Sequence, residues 1–220
     1  MTTTRRRWVD LAIVAATCIV LVGLAIAIGR KRAAELSQTI SSAPPAATAA
    51  ANPAASATPD GFRFAAWGAP KQDVRLLETA PFVREKTVGE YQVLEFTGEF
   101  AGLPAAVFYY FADGQLFQGA YEIRKSFTAY EDHLGDFVRA KSLLAQRYGA
   151  PTRDELVWLN SRDRDNEKRW GRALASGQLV LRADWWTPDL EVSQALMGDS
   201  SQITLAITLT SKERDTAPSP

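Results

Sequence analysis

The sequence predicts an α+β domain, helices packed on an antiparallel sheet, placed behind a single N-terminal transmembrane helix. Three observations carry this. Trp8 to Gly29 is a run of about 22 residues of Ala, Ile, Val and Leu, broken by one acid, Asp10, near its start. Beyond residue 60, short alternating segments joined by tight turns flank one long segment with helical periodicity. The elements then read helix, strands, helix, strands, an order compatible with a tandem helix-plus-meander repeat.

The chain divides into a cytoplasmic tail (1–7), a transmembrane helix (8–29), an Ala/Pro/Ser-rich linker (30–60), a domain (61–211) and a polar tail (212–220). The apolar run exceeds the core of a cleavable signal peptide. It also leads into Gly29-Arg30-Lys31-Arg32, which resembles no cleavage site. Thr4-Arg5-Arg6-Arg7-Trp8 has the look of a twin-arginine signal, but the core is too apolar and no cleavage site follows. Basic residues flank the run almost equally, so the positive-inside rule alone does not orient it. From Ser37 to Asp60 the chain lacks Lys, Arg and Glu and carries Pro44, Pro45, Pro53 and Pro59. Such a segment cannot bury enough apolar surface to fold and acts as a spacer. The expected arrangement is single-pass in the inner membrane, with the bilayer as one partner through residues 8–29 and the domain on the periplasmic side.

Composition narrows the function. Twenty-five basic residues balance twenty-five acidic ones, and they interleave, so no basic field invites nucleic acid. The single cysteine, Cys18, lies in the apolar run, which leaves the domain without a disulfide or a thiolate metal site.

Ala69 to Leu77 reads as a short helix, with Pro70 in its first turn and Val74 and Leu77 on one side. Tyr91 to Phe100 alternates as a strand, with Leu94, Phe96 and Phe100 sharing a face. A turn at Ala101 to Pro104 leads to the β-prone run Ala105 to Phe111. Asp113-Gly114 makes a hairpin turn, and Leu116 to Arg124 returns with Phe117, Tyr121 and Ile123 together. Tyr130, Leu134, Phe137, Val138, Lys141, Leu144 and Tyr148 recur at helical spacing. Thr128 is placed to cap this helix, and Gly149 with Pro151 ends it. Strands follow at Glu155 to Leu159 and, briefly, Arg172 to Leu174. Leu179 to Trp186 and Ile203 to Leu209 alternate clearly, while Asp189 to Gly198 is open between a helical turn and a ragged strand.

Phe64-Ala65-Ala66-Trp67-Gly68-Ala69-Pro70 with Val74, then Phe108-Tyr109-Tyr110-Phe111 before Asp113-Gly114 and Leu116, form a recognisable series. Leu144, Tyr148-Gly149-Ala150-Pro151, Trp158, Trp186-Thr187 and Ile203-Thr204-Leu205 continue it. The series resembles bacterial exported modules of the β-lactamase-inhibitor-protein type, which include small outer-membrane assembly lipoproteins. The resemblance implies a helix-on-sheet fold used for protein binding, and it carries over no catalytic residue. A transmembrane anchor departs from the lipoprotein pattern.

No catalytic or cofactor constellation stands out. His133, the only histidine, reads as a surface or boundary residue of the long helix, and no nucleophile motif accompanies it. Asp163, Asp165 and Glu167 have the alternate spacing that opens a calcium loop. Lys168 stands where that loop needs glycine, Leu174 where it needs Glu, and neighbouring Arg and Lys neutralise the segment. No Gly-rich phosphate cradle occurs. No cofactor or metal is therefore expected.

The aromatics carry the remaining signal. Adjacent strand residues face opposite ways, so Trp185 groups with Leu179 and Leu181, and Trp186 with Arg182 and Asp184. Tyr110 is set against Tyr109 in the same way. Trp186, Arg182, Asp184 and Tyr110 are the candidate partner-binding residues of an exposed platform, since Trp, Tyr and Arg dominate binding hot spots. The expected function is non-catalytic protein binding by a membrane-anchored envelope domain. The alternative is an envelope enzyme, or a small-ligand or glycan receptor using the aromatic cluster.

Overall fold

The computed structural model describes residues 60–125 and 130–212. The expected tail (1–7), transmembrane helix (8–29), linker up to residue 59, Thr128 cap and final residues 213–220 lie outside them. Among the described residues no helix is long and apolar enough to cross a membrane.

The chain opens with a two-stranded hairpin, β1 (Gly61–Phe62) and β2 (Ala65–Ala66), followed by helix α1 (Lys71–Leu77). A meander of β3 (Phe82–Val88), β4 (Tyr91–Phe100), β5 (Leu103–Ala112) and β6 (Gln115–Arg124) follows. The long helix α2 (Tyr130–Tyr148) leads to β7 (Arg153–Trp158), and two 3₁₀ turns precede helix α3 (Trp170–Ala175). A second run of strands closes the chain: β8 (Leu179–Trp186), β9 (Leu190–Gly198) and β10 (Ile203–Ser211).

Eight strands form one antiparallel sheet in the order β3-β4-β5-β6-β10-β9-β8-β7. Short turns between consecutive strands allow only antiparallel neighbours. At Asp113-Gly114 both residues have positive φ, 53° and 77°, the conformation a two-residue hairpin demands. The last strands of the two runs, β6 and β10, meet in the middle, with Tyr121 opposite Ile207.

The main core lies wholly on one face. Leu94, Phe96, Val107, Tyr109, Tyr121, Ile123, Leu179, Leu181, Trp185, Val192, Leu205 and Ile207 point into it from the sheet. Phe62, Val74, Phe137, Ala140, Leu144, Ala173 and Leu174 meet them from the hairpin and the helices. Phe62 stacks on Tyr109 and Tyr121 at 5.0 and 5.1 Å between ring centroids. It can do so because residue 119 is glycine: a Cβ there would come within 2.1 Å of the Phe62 ring. Gly119→Ala is therefore expected to cost about 1–3 kcal/mol by overpacking. Gly135→Ala, on an open stretch of α2 where a Cβ meets nothing within 4 Å, should stabilise by roughly 0.5–1 kcal/mol. Urea titration of the two variants checks the opposite signs.

A buried polar hub ties the hairpin and α1 to the sheet. Glu78, just past α1, accepts hydrogen bonds from Arg63 Nε (2.7 Å) and Nη2 (3.1 Å), from the Ala80 N–H (2.8 Å) and from the Tyr109 hydroxyl. Burial would raise the Glu78 pKa, but the bonds from Arg63, Tyr109 and Ala80 outweigh it and hold the carboxyl below its ordinary range.

Several sequence expectations change. Phe82–Val88 is a strand that the sequence pattern concealed, because at the sheet edge it needs no continuous apolar face. Phe117 does not join Tyr121 and Ile123. Tyr110 pairs with Gln118 but Phe111 with Leu116, so Phe117 is the extra residue of a bulge. Its ring stacks on Tyr91 at 5.0 Å, on the other face. Arg172–Leu174 lies in helix α3, since Ala173 and Leu174 are buried under its turn against β8 and β9. Asp189 to Gly198 resolves into strand β9, its register set by nine pairings with β10. Leu77 is exposed, and only Val74 of α1 is buried. The buried stripe of α2 is His133, Phe137, Ala140 and Leu144, while Val138 faces water. His133 is thus inside rather than at the surface, and burial lowers its pKa despite nearby Asp136 and Asp132.

Candidate binding face

The face of the sheet opposite the helices carries its own order. No residue of that face joins the main core, and among the described residues no helix packs on it. Cross-strand register arranges its side chains in rows. One row runs Arg84, Glu95, Phe108, Ala120, Thr208, Ser193, Asp184, Arg153. The next runs Thr97, Ala106, Glu122, Ala206, Ala195, Arg182, Glu155. A third runs Val93, Tyr110, Gln118, Thr210, Glu191, Trp186.

The middle of this face is built from small side chains. Ala106, Ala120, Ala206, Thr208, Ser193 and Ala195 come from β5, β6, β10 and β9. Larger residues rise on both sides. On the β3–β5 side Val93, Phe108 and Tyr110 are buried, although among the described residues no helix packs on them. Long neighbours shield them: Lys86 Nζ lies 4.8 Å over the Phe108 ring. Burial lowers the Lys86 pKa, partly opposed by Glu95, which lies 3.8 Å away. Arg84 Nε also bonds Glu95, at 2.6 Å.

On the β7–β8 side an ionic cluster surrounds Asp184. Arg182 Nε donates to its Oδ1 at 3.0 Å, and Ser193 Oγ donates to the same oxygen at 2.7 Å. Arg153 Nη1 stands 3.7 Å from Oδ2, and the Arg153 guanidinium lies 5.1 Å over the Trp186 ring. Arg182 Nη2 and Asp184 Oδ2 are buried and have no hydrogen-bond partner among the described residues, although Oδ2 lies 2.8 Å from Arg182 Nε in the ion pair. In the middle, Glu122 pairs with Arg124.

The four candidate residues do share this face, but they do not form one exposed platform. Trp186 is 44% exposed, whereas Arg182 is 6% exposed and Asp184 and Tyr110 are buried. The two charges pair with each other, which allows them to leave water. Tyr110 sits in the same row as Trp186 but four strand spacings away, about 19 Å. The structure therefore separates Tyr110 from the Trp186–Arg182–Asp184 group. It adds Arg153 and Ser193 to that group, and Phe108, Tyr91, Phe117 and Lys86 to the other side. Sequence reading passed over Arg153 because its strand is short. Its alternation with Glu155 was the available signal.

The segment with the calcium-like spacing forms 3₁₀ turns instead, and Asp163 is bonded there to Arg169 at 3.0 Å. Among the described residues, no group of three or more His, Cys, Asp or Glu is placed to hold a metal ion.

Fold and face together define a class: an α+β domain with a single large antiparallel sheet, backed by helices on one side, while among the described residues no helix packs on the other, although many of its side chains are buried. No protein-family model matches the chain, and no curated protein or solved structure shows significant similarity to it.

Proposed function

We propose that this is a membrane-anchored, non-catalytic envelope protein whose periplasmic domain binds a protein partner through the open face of its sheet. The domain is read as a duplicated module, each half a helix followed by a four-stranded meander, joined at β6 and β10. The observation that carries the proposal is the open face itself, which spans all eight strands. A sheet normally buries at least one side; here the second side is not polar throughout, and among the described residues no helix packs on it. Many charged groups on the face are paired, Arg84 and Lys86 with Glu95, Glu122 with Arg124, and Arg182 and Arg153 with Asp184, which favours a preorganised binding surface over acid–base chemistry. The resemblance to exported modules of the β-lactamase-inhibitor-protein type points the same way.

Site-specific photocrosslinking in cells making the full chain tests the reading. A photoreactive residue at Thr208, mid-face, is expected to yield a discrete protein adduct, and one at Val138 on the outer side of α2 is not. Equal adducts from both positions, or none from Thr208, would sink the open-face reading. An adduct with a glycan or small molecule would favour the receptor alternative.

A further inference from the structure

A second surface, which the open-face reading does not use, surrounds the α1–β3 junction. Leu76 is 84% exposed, and Leu77, Phe82 and Val83 are also large apolar side chains left in water. They lie together: the Arg75 guanidinium is 3.7 Å from the Phe82 ring, which sets the end of α1 against the start of β3. Exposed Phe64 belongs to the same neighbourhood, because Arg63 beside it is bonded to Glu78, the residue after Leu77. Large apolar residues grouped in this way mark an interaction surface, where isolated ones would not. Arg75 borders it, as does Lys71, which pairs with Glu85.

Three occupants can be weighed. An added β-strand is disfavoured, because edge strand β3 is bulged between Phe82 and Arg84 and then carries Arg84, Glu85 and Lys86. A second copy paired antiparallel through β3 is disfavoured by charge. Centred on Glu85, it sets that residue against itself and Arg84 against Lys86. Centred on Arg84 or Lys86, it sets a cation against its own copy. A lipid surface fits better. The described chain begins at Asp60, immediately before the hairpin that carries Phe64. The chain before it contains the apolar run Trp8 to Gly29. About 30 residues of linker reach at most roughly 100 Å. Such a tether keeps the patch near the bilayer, and weak insertion then suffices. Leu, Phe and Val bordered by Arg and Lys is the chemistry of shallow interfacial anchoring.

We infer that the α1–β3 junction is a membrane-docking surface: Leu76, Leu77, Phe82 and Val83 enter the headgroup boundary of the bilayer that holds the chain, with Arg75 toward the lipid phosphates. The inference rests on residues 8–29 being a membrane span. Docking by this edge ties down the end of the domain where the tether enters and leaves the open sheet face to a partner.

The test uses the full chain with Cys18→Ser and a spin label on a single cysteine, Leu76→Cys, Val83→Cys or, as reference, Val138→Cys. The protein is reconstituted in phosphatidylcholine vesicles containing phosphatidylserine, and collision with oxygen and with a water-soluble nickel chelate is measured. Labels at Leu76 and Val83 are expected to show high oxygen access and several-fold lower nickel access than the label at Val138. Nickel access equal to that at Val138, in chain that floats with the vesicles, would overturn docking and leave the span reading intact. Chain that does not float would overturn both. Labels shielded from oxygen and nickel alike would mean a protein covers the patch, which also overturns the inference.

Discussion

Trp185→Ala is expected to destabilise the domain by about 3–5 kcal/mol, the scale of a large aromatic truncation in a packed core. Trp186→Ala, one residue on, should cost less than about 1 kcal/mol, as a solvent-side loss does. Trp185 is 1% exposed, belongs to the main core, and donates its indole N–H to the Gly149 carbonyl at 2.9 Å. Its removal leaves a cavity and an unsatisfied carbonyl where α2 ends. Trp186 loses the Arg153 cation over its ring and little buried area. The measurement is a pair of urea titrations, read for midpoint at constant slope. Losses of similar size would place both indoles in the core and remove Trp186 from the open face. If the open face binds a partner, Trp186→Ala should weaken capture about fivefold or more, the reach of a hot spot.

Glu78→Ala should be the other severe substitution, destabilising by about 2–4 kcal/mol, because it leaves the half-buried Arg63 guanidinium and the buried Tyr109 hydroxyl without their partner. The Glu78 side chain is 1% exposed in that pair. The same group makes a pH prediction. Its folded pKa is lowered from 4.5 by hydrogen bonds that overcome the opposing effect of burial. The stabilisation it contributes is therefore fully present above pH 4.5 and is lost as pH falls through the folded value. His133, whose folded pKa is lowered from 6.5 by burial, acts with the same sign. Its contribution is present above pH 6.5 and is lost on acidification, because the unfolded chain takes up the proton more readily. Thermal midpoints should fall as pH drops below neutral. Glu78→Gln should flatten the lower part of that fall, and His133→Gln the upper part. An unchanged profile in both variants would show that neither group governs acid stability.

How far the sequence could be read varied with the kind of element. Strands with a buried face on one side, Tyr91–Phe100, Leu179–Trp186 and Ile203–Ser211, were legible from alternation alone. The Asp113-Gly114 turn was legible from backbone chemistry. Edge strand β3 was not, because a strand bonded on one side alternates charge with charge. Helix α3 was not, because six residues are too few to show a period. Phe117 was misplaced because a bulge reverses which face each residue takes, and the strand's letters do not announce one.

The candidate site divides in the same way. That Trp185 and Trp186 face opposite sides follows from the two-residue period of a strand, so the sequence by itself determined it. Composition also determined that residues 61–211 contain no cysteine. That Arg182 and Asp184 are buried, that Arg153 and Ser193 join them, and that Tyr110 stands far across the same row were decided only by tertiary structure. The physical reason is register. A side chain's neighbours on a sheet come from strands distant in sequence, and which residues meet depends on pairings such as Ser193 with Asp184 and Thr208 with Ala120. Those pairings are chosen by the packing of the whole sheet against its helices, and no local stretch of the chain encodes them.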